Sequence, residues 1–286
     1  SSENDDGDIT PNIIYFNSSV QYDGNGSQSS PYKYFSTDKV KVNSILYFAD
    51  GEYSLNNALS LSNITIIGES PLKTIINGNG RQISSSNVLH ISNITLDNLL
   101  VKNNYEFTAN NVIFQNSKGT GSSNIMGGAI NTGNLGNTLI ISSVFRNNKA
   151  TYGGAIYASG DSNLVIVNST FENNHADFYG GAIAIENGVG FQLVNSTFLD
   201  CYSVHNAGGA IYSRESFLDI KNSNFTSCNA SIGGAICDLE SFSIFDSIIA
   251  ENNKADYYGR AIYKMYGTLE VISSSFFSNE ASNGGA

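Results

Sequence analysis

The stretch FENNHADFYGGAIAI, residues 171–185, contains the motif that decides the fold. Its Gly-Gly-Ala-Ile tetrapeptide recurs at intervals of 25 to 28 residues, with a degenerate Gly-Arg-Ala-Ile copy and a shortened Gly-Gly-Ala copy. The copies start at Gly127, Gly153, Gly180, Gly208, Gly233, Gly259 and Gly284. A period this regular indicates a repeat architecture.

Apolar positions recur with the same period ahead of each tetrapeptide. One column holds Ile140, Ile166, Leu193, Ile220, Ile244 and Val271. A second column, five places later, holds Phe145, Phe171, Phe198, Phe225, Ile249 and Phe276. A further, mostly apolar column two places before the first holds Thr138, Leu164, Phe191, Leu218, Phe242 and Leu269. Variable, often polar residues stand between these two columns, which predicts short strands with one buried face. The many Gly and Asn residues make helices unfavourable.

About three short strands per period predict one coil of a single-stranded parallel β-helix, with coils stacked at the strand spacing of roughly 4.8 Å. The second glycine of each tetrapeptide is expected at a tight inward corner, where a side chain would collide with the core. A β-propeller blade would need a longer repeat, and the Leu-x-x-Leu-x-Leu signature of leucine-rich repeats is absent. The interpretation is an all-β solenoid of about ten coils.

The domain boundaries follow from the regularity of the period. We expect a flexible N-terminal segment at 1–12 and one β-helix at 13–286. Within it, 13–45 forms a cap with a short amphipathic helix and the first strand, 46–126 forms irregular coils, and 127–286 forms the regular repeats. The sequence stops within a repeat at Ala286, which predicts a fragment of a longer chain.

Two polar columns are interpreted as scaffold ladders, because small hydroxyls and amides bond backbone groups that strands leave unpaired. The serine ladder holds Ser143, Ser169, Ser196, Ser223, Ser247 and Ser274, and the asparagine ladder holds Asn148, Asn174, Asn252 and Asn279. Cys201 and Cys228 take the asparagine position in successive coils, where buried free thiols are favoured and a disulfide is the alternative. Cys237 is expected to face outward.

Composition limits the partners. The net charge is −11 and only 14% of residues are charged, with arginine at just four positions, so a nucleic acid partner is not expected. No apolar run approaches the roughly 20 residues of a membrane span.

Neither catalysis nor a metal site is expected. The histidines His90, His175 and His205 occupy different columns, with the last two expected in exposed turns. The carboxylate pairs Asp177 with Asp256 and Asp219 with Glu270 are separated by three and two coils, too far for an acid pair. The loop 23–26, Asp-Gly-Asn-Gly, leaves calcium as a cofactor that is possible but unsupported.

Aromatic residues are the best functional candidates. Just before the tetrapeptides stand Tyr152, Phe178, Tyr179, Tyr257 and Tyr258, and just after them, expected to face outward, stand Tyr157, Tyr212 and Tyr263. A row of exposed rings on a rigid face can stack on sugars or contact a protein. The alternative is that these residues are ordinary strand formers.

The repeated Gly-Gly-Ala-Ile with Phe-x-x-Asn resembles the polymorphic outer-membrane-protein repeat of chlamydial autotransporters. The leading segments IIYFNSS, 13–19, and ILYFADGEYSL, 45–55, resemble the start of the adhesin-like surface proteins of methanogenic archaea. The resemblance implies a right-handed, pectate-lyase-like β-helix that is secreted or on the cell surface. It further implies attachment to host or microbial cells through a surface glycan or protein. It supplies no catalytic residue.

Two other functions stay open at this point. Related β-helices cleave polysaccharides, so a polysaccharide lyase or glycoside hydrolase is the alternative to an adhesin. A purely structural stalk is the third possibility.

Overall fold

Strands of successive coils lie side by side in the computed structural model, which describes residues 12–121 and 123–282. In the first half of the chain the strands are β1 (Asn12–Phe16), β2 (Ser44–Phe48), β3 (Gly51–Ser54), β4 (Leu59–Leu61), β5 (Ile64–Gly68), β6 (Thr74–Ser85), β7 (Leu89–Asn103), β8 (Glu106–Gln115), β9 (Ile130–Thr132), β10 (Asn137–Ile141), β11 (Val144–Arg146), β12 (Lys149–Tyr152), β13 (Ile156–Ser159) and β14 (Asn163–Val167). They continue as β15 (Thr170–Glu172), β16 (His175–Tyr179), β17 (Ile183–Glu186), β18 (Gly190–Val194), β19 (Thr197–Leu199), β20 (Tyr202–Ser203), β21 (Ile211–Arg214), β22 (Phe217–Lys221), β23 (Asn224–Thr226), β24 (Asn229–Ile232), β25 (Ile236–Asp246), β26 (Ile249–Glu251), β27 (Lys254–Tyr258), β28 (Ile262–Ile272), β29 (Ser275–Phe277) and β30 (Glu280–Ala281).

The strands pair in parallel, each with its equivalent in the next coil. Ile156 of β13 pairs with Ile183 of β17, and Phe145 of β11 pairs with Phe171 of β15. The chain thus forms a right-handed parallel β-helix of about nine turns, which confirms the predicted fold class. We expected the N-terminal segment to be flexible, but its residues 1–11 lie outside the described residues. The last tetrapeptide copy, at Gly284, also lies outside them.

Stacked phenylalanines occupy the centre of the core. The rings of Phe114, Phe145, Phe171, Phe198 and Phe225 lie in successive coils, with neighbouring centroids 4.6 to 4.9 Å apart. All five are fully buried. The stack ends at Phe225, because Ala250 follows it in the next coil. Phe276 occupies the same column in the last described coil, where it pairs with Ala250.

In the coil that contains β25 and β26, the observed register differs from the predicted register by one residue. Ala250, and not Ile249, pairs with Phe225, while Ile249 is exposed. One strand earlier, Phe245 pairs with Ile220 where Ile244 was expected. The prediction was wrong here because the small Ala250 replaces the phenylalanine that anchors the alignment elsewhere.

The same shift moves both polar ladders. Ser247 adopts a left-handed backbone conformation in the turn, and the backbone N–H of Ile248 takes the ladder bond to Ser274 at 3.1 Å. Asn252 is likewise an exposed left-handed turn residue, whereas Asn253 is buried and bonds Asn279. Ser247 and Asn252 are therefore not ladder residues.

Elsewhere the ladders have the predicted form. Each ladder serine accepts a bond from the backbone N–H of the coil before it, as from Ser143 N–H to Ser169 Oγ at 3.2 Å, and donates to a carbonyl two residues back. The Asn148 side chain donates to Phe114 O and to Asn174 Oδ1, both at 3.0 Å. In the same column the thiol of Cys201 faces Phe171 O at 3.5 Å, the place that an amide takes in other coils.

The paired glycines of the tetrapeptide have two different physical roles. The first, for example Gly180, has a left-handed φ of 63°, which glycine adopts without strain. The second, Gly181, lies against the backbone of the next coil, where a Cβ would collide with the Gly209 carbonyl oxygen. The obstacle is main chain and not the core side chains that we expected.

Two further expectations are corrected. Segment 17–43 contains a single 3-10 turn, Thr37–Lys39, without buried residues, in place of an amphipathic helix. Phe35 from this segment packs edge-on against Phe16 and Phe48. A fourth strand per coil forms where polar turns were expected, and these strands, β12, β16, β20, β24, β27 and β30, make a separate six-stranded sheet.

We expect Gly181→Ala to destabilise the protein by about 2 kcal/mol, because the methyl group must displace main chain. The measurement is the free energy of unfolding in urea. Gly190→Ala is the matched control, because Gly190 lacks a left-handed φ and an added Cβ would meet only the movable Asn163 side chain. Equal losses of stability in the two variants would contradict this role for the glycine pair.

Candidate functional site

Five predicted aromatic residues lie on or beside the six-stranded sheet and form what we call the aromatic ridge. The ridge consists of Tyr152, Phe178, Tyr179, Tyr257 and Tyr258. Phe178 is 40% exposed, Tyr257 is 55% exposed and Tyr258 is 50% exposed. Tyr152 and Tyr179 are half-buried and stack with ring centroids 5.7 Å apart.

The ridge is interrupted and does not form a continuous row. From Tyr179 the same column continues through Ala207 and Ile232 to Tyr258. The two groups of rings are thus three strand steps apart, roughly 14 Å. A ligand that touched both groups would have to be an extended chain or a protein surface.

Tyr157 and Tyr212 do not face solvent, which contradicts the prediction for both residues. They are 6% and 4% exposed and form a second apolar cluster with Ala184, Ala207 and Cys237. The rings of Tyr179 and Tyr212 are tilted by 32° and have centroids 4.4 Å apart. The unexpected fourth strand carries the residues that cover them, so a ladder of open rings at this column does not exist.

The other two outward predictions at this column also change. Tyr263 is half-buried and packs against the second cluster. Cys237 is buried in it, and burial raises the pKa of its thiol to about 12. Cys201 and Cys228 are buried free thiols, as favoured by the sequence. Burial raises the pKa of Cys228 well above its usual value, with a further contribution from Cys201.

The two tyrosine side chains of this cluster have raised pKa values. Burial raises the pKa of Tyr157 and of Tyr212, and the negative charge of Glu186 raises both pKa values further. Tyr157 donates a hydrogen bond to Glu186 Oε2 at 2.9 Å. A phenol whose folded pKa is raised contributes stability below its unfolded pKa of about 10, and this contribution is lost as the pH rises through the folded value.

Beside the ridge, the six-stranded sheet carries charged and aromatic side chains in one column. His175 stacks on Tyr202 with centroids 4.8 Å apart, so it is half-buried in a strand rather than in an exposed turn. Burial lowers the pKa of His175, and nearby Lys149 lowers it further. Lys149 forms an ion pair with Asp177 at 3.3 Å, while His205 is exposed as expected.

The carboxylates predicted to be separate are separate. Asp177 and Asp256 lie on β16 and β27, three strands apart in the six-stranded sheet. Asp219 and Glu270 share an outward column two coils apart. In the loop 23–26, the carboxylate of Asp23 is bound by Lys39 at 2.6 Å and by the backbone N–H of Lys33.

Sequence reasoning missed a buried ion pair. Asp238 is fully buried and contacts Lys264 Nζ at 2.7 Å and Ser243 Oγ at 2.6 Å. Lys264 pairs directly with Asp238 in the next coil. Strand alternation could have revealed the pair, because Asp238 and Lys264 each stand two residues after the inward isoleucine of a tetrapeptide copy.

Within residues 12–121 and 123–282, no group of three His, Cys, Asp or Glu side chains is arranged to hold a metal ion. Over the same part of the chain, helices with the length and apolarity needed to cross a bilayer are absent.

Two segments, 142–159 and 168–186, match the Chlamydia polymorphic membrane protein repeat. Each contains one phenylalanine strand and the tetrapeptide that follows it. The repeat and the β-solenoid fit a surface protein in general. No curated protein matches the chain.

Two solved structures are similar to the chain at low identity. ORF18 of Geobacillus virus E2 is 15% identical with a TM-score of 0.43, over 82% of this chain and 54% of the viral chain. The chain therefore spans about half of that protein. The A-module of the mannuronan C-5 epimerase AlgE4 of Azotobacter vinelandii is 13% identical with a TM-score of 0.30, over 84% of this chain and 91% of the module.

We expect Tyr157 and Tyr212 to stay protonated while exposed tyrosines ionise, between about pH 9 and 11. Phenolate absorbance near 295 nm reports the ionisation. The Tyr157→Phe/Tyr212→Phe variant should therefore lose almost none of the absorbance change in this range. The reference is the absorbance change of the wild-type chain over the same pH range. A loss in the double variant equal to two tyrosines would show that the cluster is open to solvent.

Proposed function

We propose that this chain is a segment of a secreted or cell-surface adhesin-like protein that attaches non-covalently through the aromatic ridge. Its partner is a glycan or protein on a host or microbial cell. This is the role implied by the resemblance to chlamydial and methanogen surface proteins. The observation that carries the proposal is the exposure of Phe178 on β16, a strand of the six-stranded sheet that is paired on both sides.

Exposure of these rings is not required by the packing. The same fold buries Tyr157 and Tyr212 in the second cluster, so it can cover a ring where covering contributes to stability. Phe178 instead leaves its ring beside the half-buried Tyr152, with centroids 6.1 Å apart. Exposed aromatic rings on rigid elements lose little conformational entropy on binding, which suits them to recognition.

The surrounding charges favour a mixed polar ligand. Lys149, His175 and Asp177 border one group of rings, and the Lys149–Asp177 pair leaves little net charge there. A saccharide offers apolar ring faces together with hydroxyls, and a protein surface offers both as well. In this proposal the coils act as spacer and platform, and the ridge has no catalytic part.

We expect the Phe178→Ala/Tyr257→Ala/Tyr258→Ala variant to bind at least about tenfold more weakly than the wild-type chain, because three anchor rings are removed. Fluorescently labelled protein is applied to printed glycans and to suspended host and microbial cells, and bound fluorescence is measured. The matched control Tyr22→Ala/Tyr105→Ala/Tyr266→Ala removes three exposed rings elsewhere and should bind like the wild type.

The other outcomes separate the alternatives. Binding that survives in the triple variant would exclude the ridge as the contact surface. Absence of binding by the wild-type chain would favour a structural stalk. New reducing ends or unsaturated products in the glycan samples would favour a polysaccharide lyase or hydrolase.

A further inference from the structure

A groove of about 470 Å³ lies on a different surface, over the strands β14, β18, β22 and β25. We call it the strand-face groove. It is lined chiefly by Asn163, Gly190, Gln192, Phe217, Asp219 and Phe242. These strands belong to the large sheet and not to the six-stranded sheet of the ridge. A function of this groove is therefore independent of the ridge.

Two outward columns build the groove. One column runs through Asn163, Gly190, Phe217 and Phe242, and the other runs through Val165, Gln192, Asp219 and Ile244. At Gly190 the first column lacks a side chain, which opens a notch between Asn163 and Phe217. These two residues are two strand steps apart, roughly 10 Å.

The backbone does not require glycine at position 190. Gly190 lacks the left-handed φ of the tetrapeptide glycines, and an added Cβ would meet only the Asn163 side chain, at 2.6 Å from Oδ1. Glycine inside a strand costs roughly 0.5–1 kcal/mol relative to alanine. An alanine here would require the tip of the Asn163 side chain to move but no main chain, so backbone strain does not explain the glycine and the open notch itself is the significant feature.

One wall of the notch is aromatic. Phe217 is 62% exposed and Phe242 is 48% exposed, and their ring centroids lie 6.3 Å apart. The sequence pattern placed Phe242 in an inward column, and the register shift of its coil turns it outward to stand beside Phe217. Two large apolar rings in adjacent coils thus form a patch that contributes nothing to the core.

The remaining walls carry hydrogen-bond acceptors. Asn163 donates its Nδ2 to Asn137 at 2.9 Å, and its Oδ1 faces the notch above Gly190. Asp219 accepts from Lys221 with Oδ2 at 2.8 Å, while its buried Oδ1 has no partner among the described residues. Gln192 is exposed between them. Such a set of acceptors matches a ligand that donates several hydroxyl bonds.

From this geometry we infer that the strand-face groove binds a neutral pyranose ring of a glycan chain. The apolar face of the sugar lies against Phe217, and its hydroxyls donate to Asn163 Oδ1 and to the partly exposed carboxylate of Asp219. An anionic sugar is disfavoured, because its carboxylate would face acceptor oxygens. An extended peptide is disfavoured because β18 and β22 are paired on both sides, which leaves no strand edge for its backbone.

The test is saturation-transfer NMR of the whole chain with four probes, namely cellotetraose, mannotetraose, chitotetraose and tetragalacturonate. We expect transfer to at least one of the three neutral tetrasaccharides and none to tetragalacturonate. Gly190→Val fills the notch with a strand-forming residue and Phe217→Ala removes the aromatic wall. Each should weaken binding about tenfold or more.

The controls separate loss of the site from loss of the fold and from failure of the ridge. The melting temperature of Gly190→Val should show that the variant is folded at the assay temperature, so its loss of binding cannot come from unfolding. Gly190→Val also leaves every ridge residue unchanged, so a loss of binding in this variant is assigned to the groove. Tyr22→Ala, which removes an exposed ring outside the ridge and the groove, should bind the tetrasaccharide like the wild type. Absence of transfer to every neutral probe, preference for tetragalacturonate, or unchanged binding by Gly190→Val would each overturn the inference.

Discussion

Parallel backbone hydrogen bonding between equivalent residues of successive coils is the constraint on which the rest of the structure depends. It places each residue directly over its counterpart, so the residues of one column must be able to pack against or hydrogen-bond to one another. Apolar columns become stacks of Phe and Ile, and polar columns become ladders in which one side chain satisfies the backbone of its neighbour. The glycine pair belongs to the same constraint, since at Gly181 the coils approach main chain to main chain.

The features that this constraint repeats from coil to coil could be predicted from the sequence. Strand alternation, the ladders of Ser143 and Asn148 and the buried phenylalanines can be identified from single residue types at a fixed spacing. The prediction was wrong where one coil changed its length. The coil is shortened where Tyr202 pairs with Asn229 but Ala207 pairs with Ile232. Further along this coil Ala250 occupies the phenylalanine column, so the residue type that marks the register elsewhere is missing.

The candidate site was less predictable than the fold. Its exposed members, such as Phe178 and Tyr257, can be identified because each lies in an Asp-aromatic-Tyr segment directly before a tetrapeptide copy. Tyr157 and Tyr212 were misplaced because a column pattern shows which way a side chain points, and does not show what covers it. The covering strands are short and rich in polar residues, so sequence alternation cannot distinguish them from turns. The strand-face groove escaped notice for a related reason, since Phe242 follows the inward pattern by sequence alone.

The direction of the coil-to-coil bonds also determines how the molecule responds to force. In a parallel β-helix these bonds run along the axis, because that is the direction in which strands neighbour each other. Tension applied between the two ends therefore loads the coil interfaces in series, and the weakest interface limits the strength however many coils are added. The mechanical strength of such a rod is therefore set by its least stable coil interface. We expect rupture to begin at the coil in which Ala250 replaces a phenylalanine.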